Sequence, residues 1–154
     1  MADLISNISL EDFKHITPIQ VRFNDTDMMG HVTNMQYLGY CDIARLRYFR
    51  DVYNEKIDYA EESLVIASVK LDFVHQIFED EAIDVRTKIS HIGNKSLQML
   101  QIICNSESNE IKSIVHTVMS GFDYINQYSI VIPQRWKEAI LAYDIKVESK
   151  AASK

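Results

Sequence analysis

The chain has 154 residues, 47% of them hydrophobic and 25% charged, with a formal net charge of −6 at pH 7. That is one domain of ordinary globular composition, long enough to bury a core without staples. The acidic balance and the lack of a basic run argue against nucleic acid or anionic membrane as main partner, and no apolar run approaches the ~20 residues that span a bilayer.

Residues 1–10 lack the basic start and continuous apolar core of a signal peptide. Ser9 and Asp12, ahead of Phe13, predict a short capped turn. Ile19-Gln20-Val21-Arg22-Phe23 alternates and predicts a strand with Ile19, Val21 and Phe23 inward; Pro18 before it is tolerable only at an edge or a strand start. From Asn34 to Tyr53 the period becomes helical. Leu38, Cys41, Arg45, Phe49 and Val52 share one side, Met35, Asp42, Leu46 and Tyr53 an adjacent one, and Tyr37, Tyr40 and Tyr48 fill much of the rest. A helix so apolar is expected to be largely enclosed. Arg45, Arg47 and Arg50 gather in its second half, where the helix dipole favours cations.

Four strand candidates follow: Leu64–His75, Ala82–His91, Ser96–Asn105 and Ile111–Tyr124. The connections Gln76–Glu81, Ile92–Lys95 and Ser106–Glu110 carry turn residues and predict an antiparallel meander. Pro133 to Tyr143 predicts a second helix with Trp136, Ile140 and Tyr143 on one face. Ile145 to Lys154 is charged, small and aperiodic, and is expected to be a frayed tail beyond a domain of residues 1–144. The order is α+β, a curved sheet of five strands wrapped around a long helix. Its open edge strands predict association with a second copy. Cys41 and Cys104 lack CxxC spacing and read as reduced, buried thiols, which suggests a cytoplasmic setting.

The stretch Phe23-Asn24-Asp25-Thr26-Asp27-Met28-Met29-Gly30-His31-Val32-Thr33-Asn34 carries the chemistry. Two acids before a glycine turn are often only turn formers or helix caps. A helix–loop–helix calcium site fails at Met29 and Gln36, which supply no charged oxygen ligand. A DxDx(T/V) phosphotransfer site resembling the haloacid dehalogenases fails at Met29 and lacks a parallel sheet. His15, His31, His75, His91 and His116 show no zinc-ligand spacing, so no metal is expected. Acyl transfer to water remains. A thioester carbonyl is poorly conjugated and its thiolate leaves easily, so one carboxylate can activate water or attack directly. Backbone N–H groups at a helix start can hold the oxyanion. The segment from Asp27 to Asn34 offers both parts, and Gly30 permits an unusual dihedral at the turn between them.

Val21 to Val32 with Asn34 and Tyr37, then Ala44-Arg45 and Tyr48-Phe49, resembles the signature of the hot-dog fold acyl-CoA thioesterases of the 4-hydroxybenzoyl-CoA thioesterase group. The likeness is dense over residues 19–49. It continues loosely through Ser68 to Phe73 and Ile92 to Ser96. It implies a hot-dog fold, two copies joined edge to edge, and active sites between them, in a homodimer or homotetramer. It makes Asp27 the catalytic carboxylate, Asp25 a support of the turn, and the backbone N–H of Asn34 the oxyanion donor. Thr33 stands where the pattern often has Asn, which bears on local hydrogen bonding and substrate preference. The expected partner is an acyl-CoA or acyl-carrier-protein thioester, with coenzyme A present only as part of the substrate and no further cofactor.

Other residues carry two readings. His31 is a general base or an orienting group for the loop. Asp42 is an ordinary partner of Arg45 or, in an enclosed helix, a group facing substrate. Tyr37 lines an acyl pocket or is plain core. Lys95 and Ser96 hold coenzyme A phosphates or belong to a solvated turn. Beside thioester hydrolysis stand a non-hydrolytic thioester-binding module and enoyl-CoA hydration, which would pair Asp27 with His31.

Overall fold

The computed structural model describes residues 2–53 and 62–149. Among the described residues three α-helices, α1 (Ala2–Ser6), α2 (Asn34–Tyr53) and α3 (Gln134–Tyr143), accompany seven strands. These are β1 (His15–Ile19), β2 (Ser63–Phe73), β3 (Ile83–Ile92), β4 (Ser96–Asn105), β5 (Ile111–Asp123), β6 (Tyr128–Ser129) and β7 (Glu148–Ser149). The five longer strands form a curled antiparallel sheet in the order β1-β3-β4-β5-β2, with α2 packed against it. The short β6 adds to β5, and β7 runs parallel to β3.

Only β3, β4 and β5 form a meander. The predicted fourth member, β2, pairs with β5 at the far edge of the sheet. The segment between Phe73 and Ile83 is too long for a tight hairpin turn, and it crosses from one edge of the sheet towards the other. It passes the start of α2 on the way, a route that matters for the site.

The first strand also differs from expectation. It runs His15–Ile19 and ends where the sequence pattern begins. Its buried residues are His15, Thr17 and Ile19, two of them polar, which hides the alternation. Pro18 fits because β1 is an edge strand and Pro18 faces outward. Phe23 belongs to a single 3₁₀ turn and is 83% exposed, not inward. The short turn predicted near Ser9 forms as a 3₁₀ turn over Leu10–Asp12, without a side-chain cap from Ser9.

Helix α2 runs from Asn34 to Tyr53, as its period predicts. It is not enclosed. Tyr37, Tyr40, Cys41, Ala44, Tyr48 and Phe49 face the sheet, while Met35, Leu38 and Leu46 stand exposed on the opposite side. Gln101, fully buried on β4, donates from Nε2 to the Cys41 carbonyl at 2.9 Å and to Thr87 Oγ1 at 3.2 Å. A side chain of the sheet thus grips the helix at mid-length. Cys41 and Cys104 are buried free thiols, each pushed up to about 12 chiefly by burial, so neither supplies a thiolate at neutral pH.

Trp136 and Ile140 of α3 close the other end of the core against Tyr48, Phe49, Leu97 and Met119. The described residues after α3 are held to the sheet. Lys88 Nζ holds the Ile145 carbonyl at 2.6 Å, and Glu148–Ser149 pairs with His91–Ile92. Residues 150–154 of the expected tail lie outside the described residues.

Candidate active site

Between the end of β1 and the start of α2 the chain folds into a turn that is closed from within. The Asp27 N–H donates to the His31 carbonyl at 2.9 Å, and the Gly30 N–H to the Asp27 carbonyl at 3.1 Å. Gly30 has φ of +76°, a left-handed conformation that side chains disfavour. The Asp27 side chain completes the loop: Oδ1 accepts the N–H of Met29 at 2.9 Å and of His31 at 3.1 Å. Among the described residues Oδ2 has no hydrogen-bond partner, so one oxygen fixes the carboxylate and the other is unengaged.

Asp25 sits behind the turn and is 4% exposed. Its Oδ2 accepts the Tyr40 hydroxyl at 2.8 Å and the Arg22 N–H at 3.0 Å, and its carbonyl accepts the Thr33 N–H at 2.9 Å. Burial first, then the hydrogen bond and charge of Asp25, push the Tyr40 phenol well above its ordinary value, so the hydroxyl remains a donor. One buried carboxylate therefore ties the turn to α2.

A cavity of about 520 Å³ opens beside this turn. Asp27, His31, Thr33, Asn34 and Tyr37 line one side, and Phe73, His75 and Gln76 the other. Asn34 is the first residue of α2, and among the described residues the N–H groups of Asn34 and Met35 donate to no backbone carbonyl. The residues that carry these free donors, at the positive end of a twenty-residue helix, line the same cavity as Asp27. Tyr37 forms part of its floor: it is buried, stacked edge-on against Phe73 at 5.0 Å, with its hydroxyl 3.5 Å from the His75 carbonyl. The His31 ring packs edge-on against Phe78 at 4.8 Å and makes no hydrogen bond to Asp27 through its side chain among the described residues.

Asp27, His31, Asn34 and Tyr37 therefore share one cavity, with Gly30 shaping the turn and Asp25 anchoring it. Asp42 stands apart. The helix is open where its sequence predicts enclosure, so the Asp42 side chain is 63% exposed and ion-paired with Arg45. Eight residues of helix, about 12 Å of rise, separate it from Asn34. It borders a second cavity of about 310 Å³ with Leu46, Phe49 and Ile66. Lys95 and Ser96 lie at the other end of the sheet. Ser96 pairs with Ser120 on β5, while Phe73 beside the cavity pairs with Ser113, seven residues or about 23 Å away. Within one chain they do not reach Asp27.

Phe73, His75 and Gln76 are not legible in the sequence as site residues. They end a strand and begin a polar connection, and only the crossover of that connection brings them beside the helix start. Among the described residues no group of three or more His, Cys, Asp or Glu is placed to hold a metal ion.

The fold and the sequence define the class. Residues 21–140 match the thioesterase-like superfamily, and the chain belongs to it. An acyl-CoA thioesterase of Helicobacter pylori, YbgC, is 30% identical over 80% of this chain and 97% of its own length. A thioesterase of Thermus thermophilus, solved in complex with coenzyme A and zinc, superimposes with a TM-score of 0.75 at 25% identity, covering 86% of this chain and 96% of that one. A Pseudomonas aeruginosa protein gives a TM-score of 0.79 at 22% identity, over 90% and 96% of the two chains, a likeness of hot-dog fold.

Proposed function

We propose that this chain hydrolyses the thioester of an acyl-CoA, with Asp27 as the reacting carboxylate and the helix-start N–H groups as oxyanion donors. The observation that carries the reading is the division of labour at Asp27. Oδ1 is spent on the Met29 and His31 amides, and Asp27 lines the same cavity as Asn34, the first residue of α2.

In the general-base route, Oδ2 takes a proton from water as the water oxygen bonds to the acyl carbon. The carbonyl oxygen becomes negative against the N–H of Asn34. Collapse of the tetrahedral species breaks the C–S bond, and the departing thiolate recovers the proton from Asp27. In the nucleophilic route, Oδ2 bonds to the acyl carbon, the thiolate leaves, and water then cleaves the mixed anhydride. Both routes need the same aim. Tyr37 and Phe73 offer an apolar wall for the acyl group. Asp25 supports the turn, and His31 orients it through Phe78. We assign no part in the single-chain cavity to Asp42, Lys95 or Ser96.

The working unit is an oligomer of two or more copies. Strand β2 has β5 on one side and no strand on the other among the described residues. Ile66, Val69 and Phe73 along it are each more than 40% exposed, as are Met35, Leu38 and Leu46 on the open face of α2. A second copy laid along this edge would cover both strips and close the cavity at Met35. The described helices include none long and apolar enough to cross a membrane, and the two reduced thiols suit a cytoplasmic setting.

Purified protein incubated with short, aromatic and long-chain acyl-CoAs and a thiol reagent tests the reading. Release of free thiol from at least one member supports it. Water addition to crotonyl-CoA without thiol release would make the protein a hydratase, and bound coenzyme A with no turnover a binding module.

A further inference from the structure

Lys112, on β5, is 2% exposed, a rare location for an ammonium group. All three of its N–H donors are used: Gln76 carbonyl at 3.0 Å, Glu81 Oε1 at 2.7 Å and Glu110 Oε1 at 2.6 Å. Gln76 and Glu81 lie near the two ends of the crossover segment that follows β2. Glu81 grips that segment again, its Oε2 accepting the Phe78 N–H at 2.7 Å, and its Oε1 also accepts Asn105 Nδ2 at 3.1 Å. The Lys112 carbonyl meanwhile accepts the N–H groups of Val74 and His75, two lining residues of the Asp27 cavity.

The same segment holds the turn that carries Asp27. The Ile77 carbonyl accepts the Val32 N–H at 2.8 Å, and the Glu79 N–H donates to the Gly30 carbonyl at 3.2 Å. Phe78 packs against the His31 ring. One buried ion pair therefore fixes a loop, the loop fixes the turn, and the turn fixes the carboxylate. The protonation states suit this task. Burial opposes both charges, but the mutual hydrogen bonds outweigh it, lowering Glu81 and raising Lys112 from their ordinary values.

We propose that Lys112, together with Glu81, is a positioning element that sets the aim of Asp27 from behind the site, without touching substrate. The inference rests on the thioesterase reading for its kinetic consequence, though not for its structural one. Misplacement of about 1 Å at a reacting group is enough to lower a rate by up to about 10²-fold.

The test compares Lys112→Met, Glu81→Gln and Glu110→Gln in the full chain, on whichever acyl-CoA the wild type turns over. Lys112→Met is expected to lower kcat by about tenfold or more with KM changed by less than about threefold, because the chemistry and not the binding surface is disturbed. Glu81→Gln should move kcat the same way by less. Glu110→Gln, which also weakens the charge pairing of Lys112 but touches no atom of residues 76–81, should stay within about twofold. Amide exchange supplies a readout independent of substrate: Val32 and Glu79 should lose protection in Glu81→Gln while the β4 amides keep theirs. A folded Lys112→Met with wild-type kcat overturns the proposal, as does a rise in KM alone. If Lys112→Met does not fold, Glu81→Gln decides. If the wild type cleaves no thioester, the thioesterase reading falls, and unchanged protection at Val32 and Glu79 overturns the positioning role separately.

Discussion

Asp27 and His31 close the turn before α2 in both directions, the Asp27 N–H donating to the His31 carbonyl at 2.9 Å and the His31 N–H returning to Asp27 Oδ1 at 3.1 Å. The main chain of His31 does this, not its imidazole. The imidazole itself lines the cavity and packs edge-on against Phe78.

The turn depends on a left-handed residue between the two. Gly30 has φ of +76°, and nothing lies within 4 Å of the position a Cβ would take, so Gly30→Ala meets no clash and feels only backbone strain. That strain is about 1–2 kcal/mol, or a fall in Tm of a few degrees for a chain this size. Thermal unfolding should show this shift, and acyl-CoA turnover should fall further than stability does, since the strain is released by moving Asp27. An unchanged kcat would show that the turn tolerates the shift.

Tyr40→Phe removes one of the two donors that Asp25 Oδ2 accepts and leaves the ring's packing intact. A buried acceptor left short costs about 1–3 kcal/mol. Chemical denaturation should report a loss in that range with an unchanged m-value. A neutral Tyr40→Phe would mean that the Tyr40 hydroxyl adds nothing to the anchoring of Asp25.

Much of this is legible in the residues and some is not. The period from Asn34 to Tyr53 specifies α2 closely, and Asp27, Gly30 and Asn34 fall together because they are near in sequence. The open face of α2 is hidden because Met35, Leu38 and Leu46 carry the same apolarity as Tyr37, Cys41 and Tyr48, and periodicity does not say which stripe meets its own sheet. The partnering of β2 with β5 in place of β3 is invisible to local pattern, since it depends on a crossover whose polar residues read as an ordinary turn. For the same reason Lys112 and Glu81, 31 positions apart, give no signal of their contact.

Stability at acid pH should track that contact. Glu81 is held below its ordinary value of 4.5, so its contribution is present above that pH and is lost as pH falls through the lowered value. Urea titrations at successive pH values below about 4.5 should therefore show wild type losing stability more steeply than Glu81→Gln. Parallel slopes in the two proteins would remove the ion pair as a source of acid sensitivity.

Association through β2 predicts a mass in solution of at least twice the 17.8 kDa of one chain. Val69→Asp puts a charge in the middle of the exposed apolar edge. Light scattering should show it shifted towards single chains, with a matching loss of turnover. A wild-type protein that is a single chain yet fully active would place the whole active site within one copy.

The role of Asp27 is tested most directly by steady-state hydrolysis of the best acyl-CoA by wild type and Asp27→Asn. The amide oxygen of Asn can still accept the Met29 and His31 N–H groups, so the turn persists while the basic oxygen is lost. The expected result is a folded variant whose kcat is lower by roughly 10²- to 10⁴-fold. Undiminished turnover in Asp27→Asn would contradict a reacting carboxylate at this position.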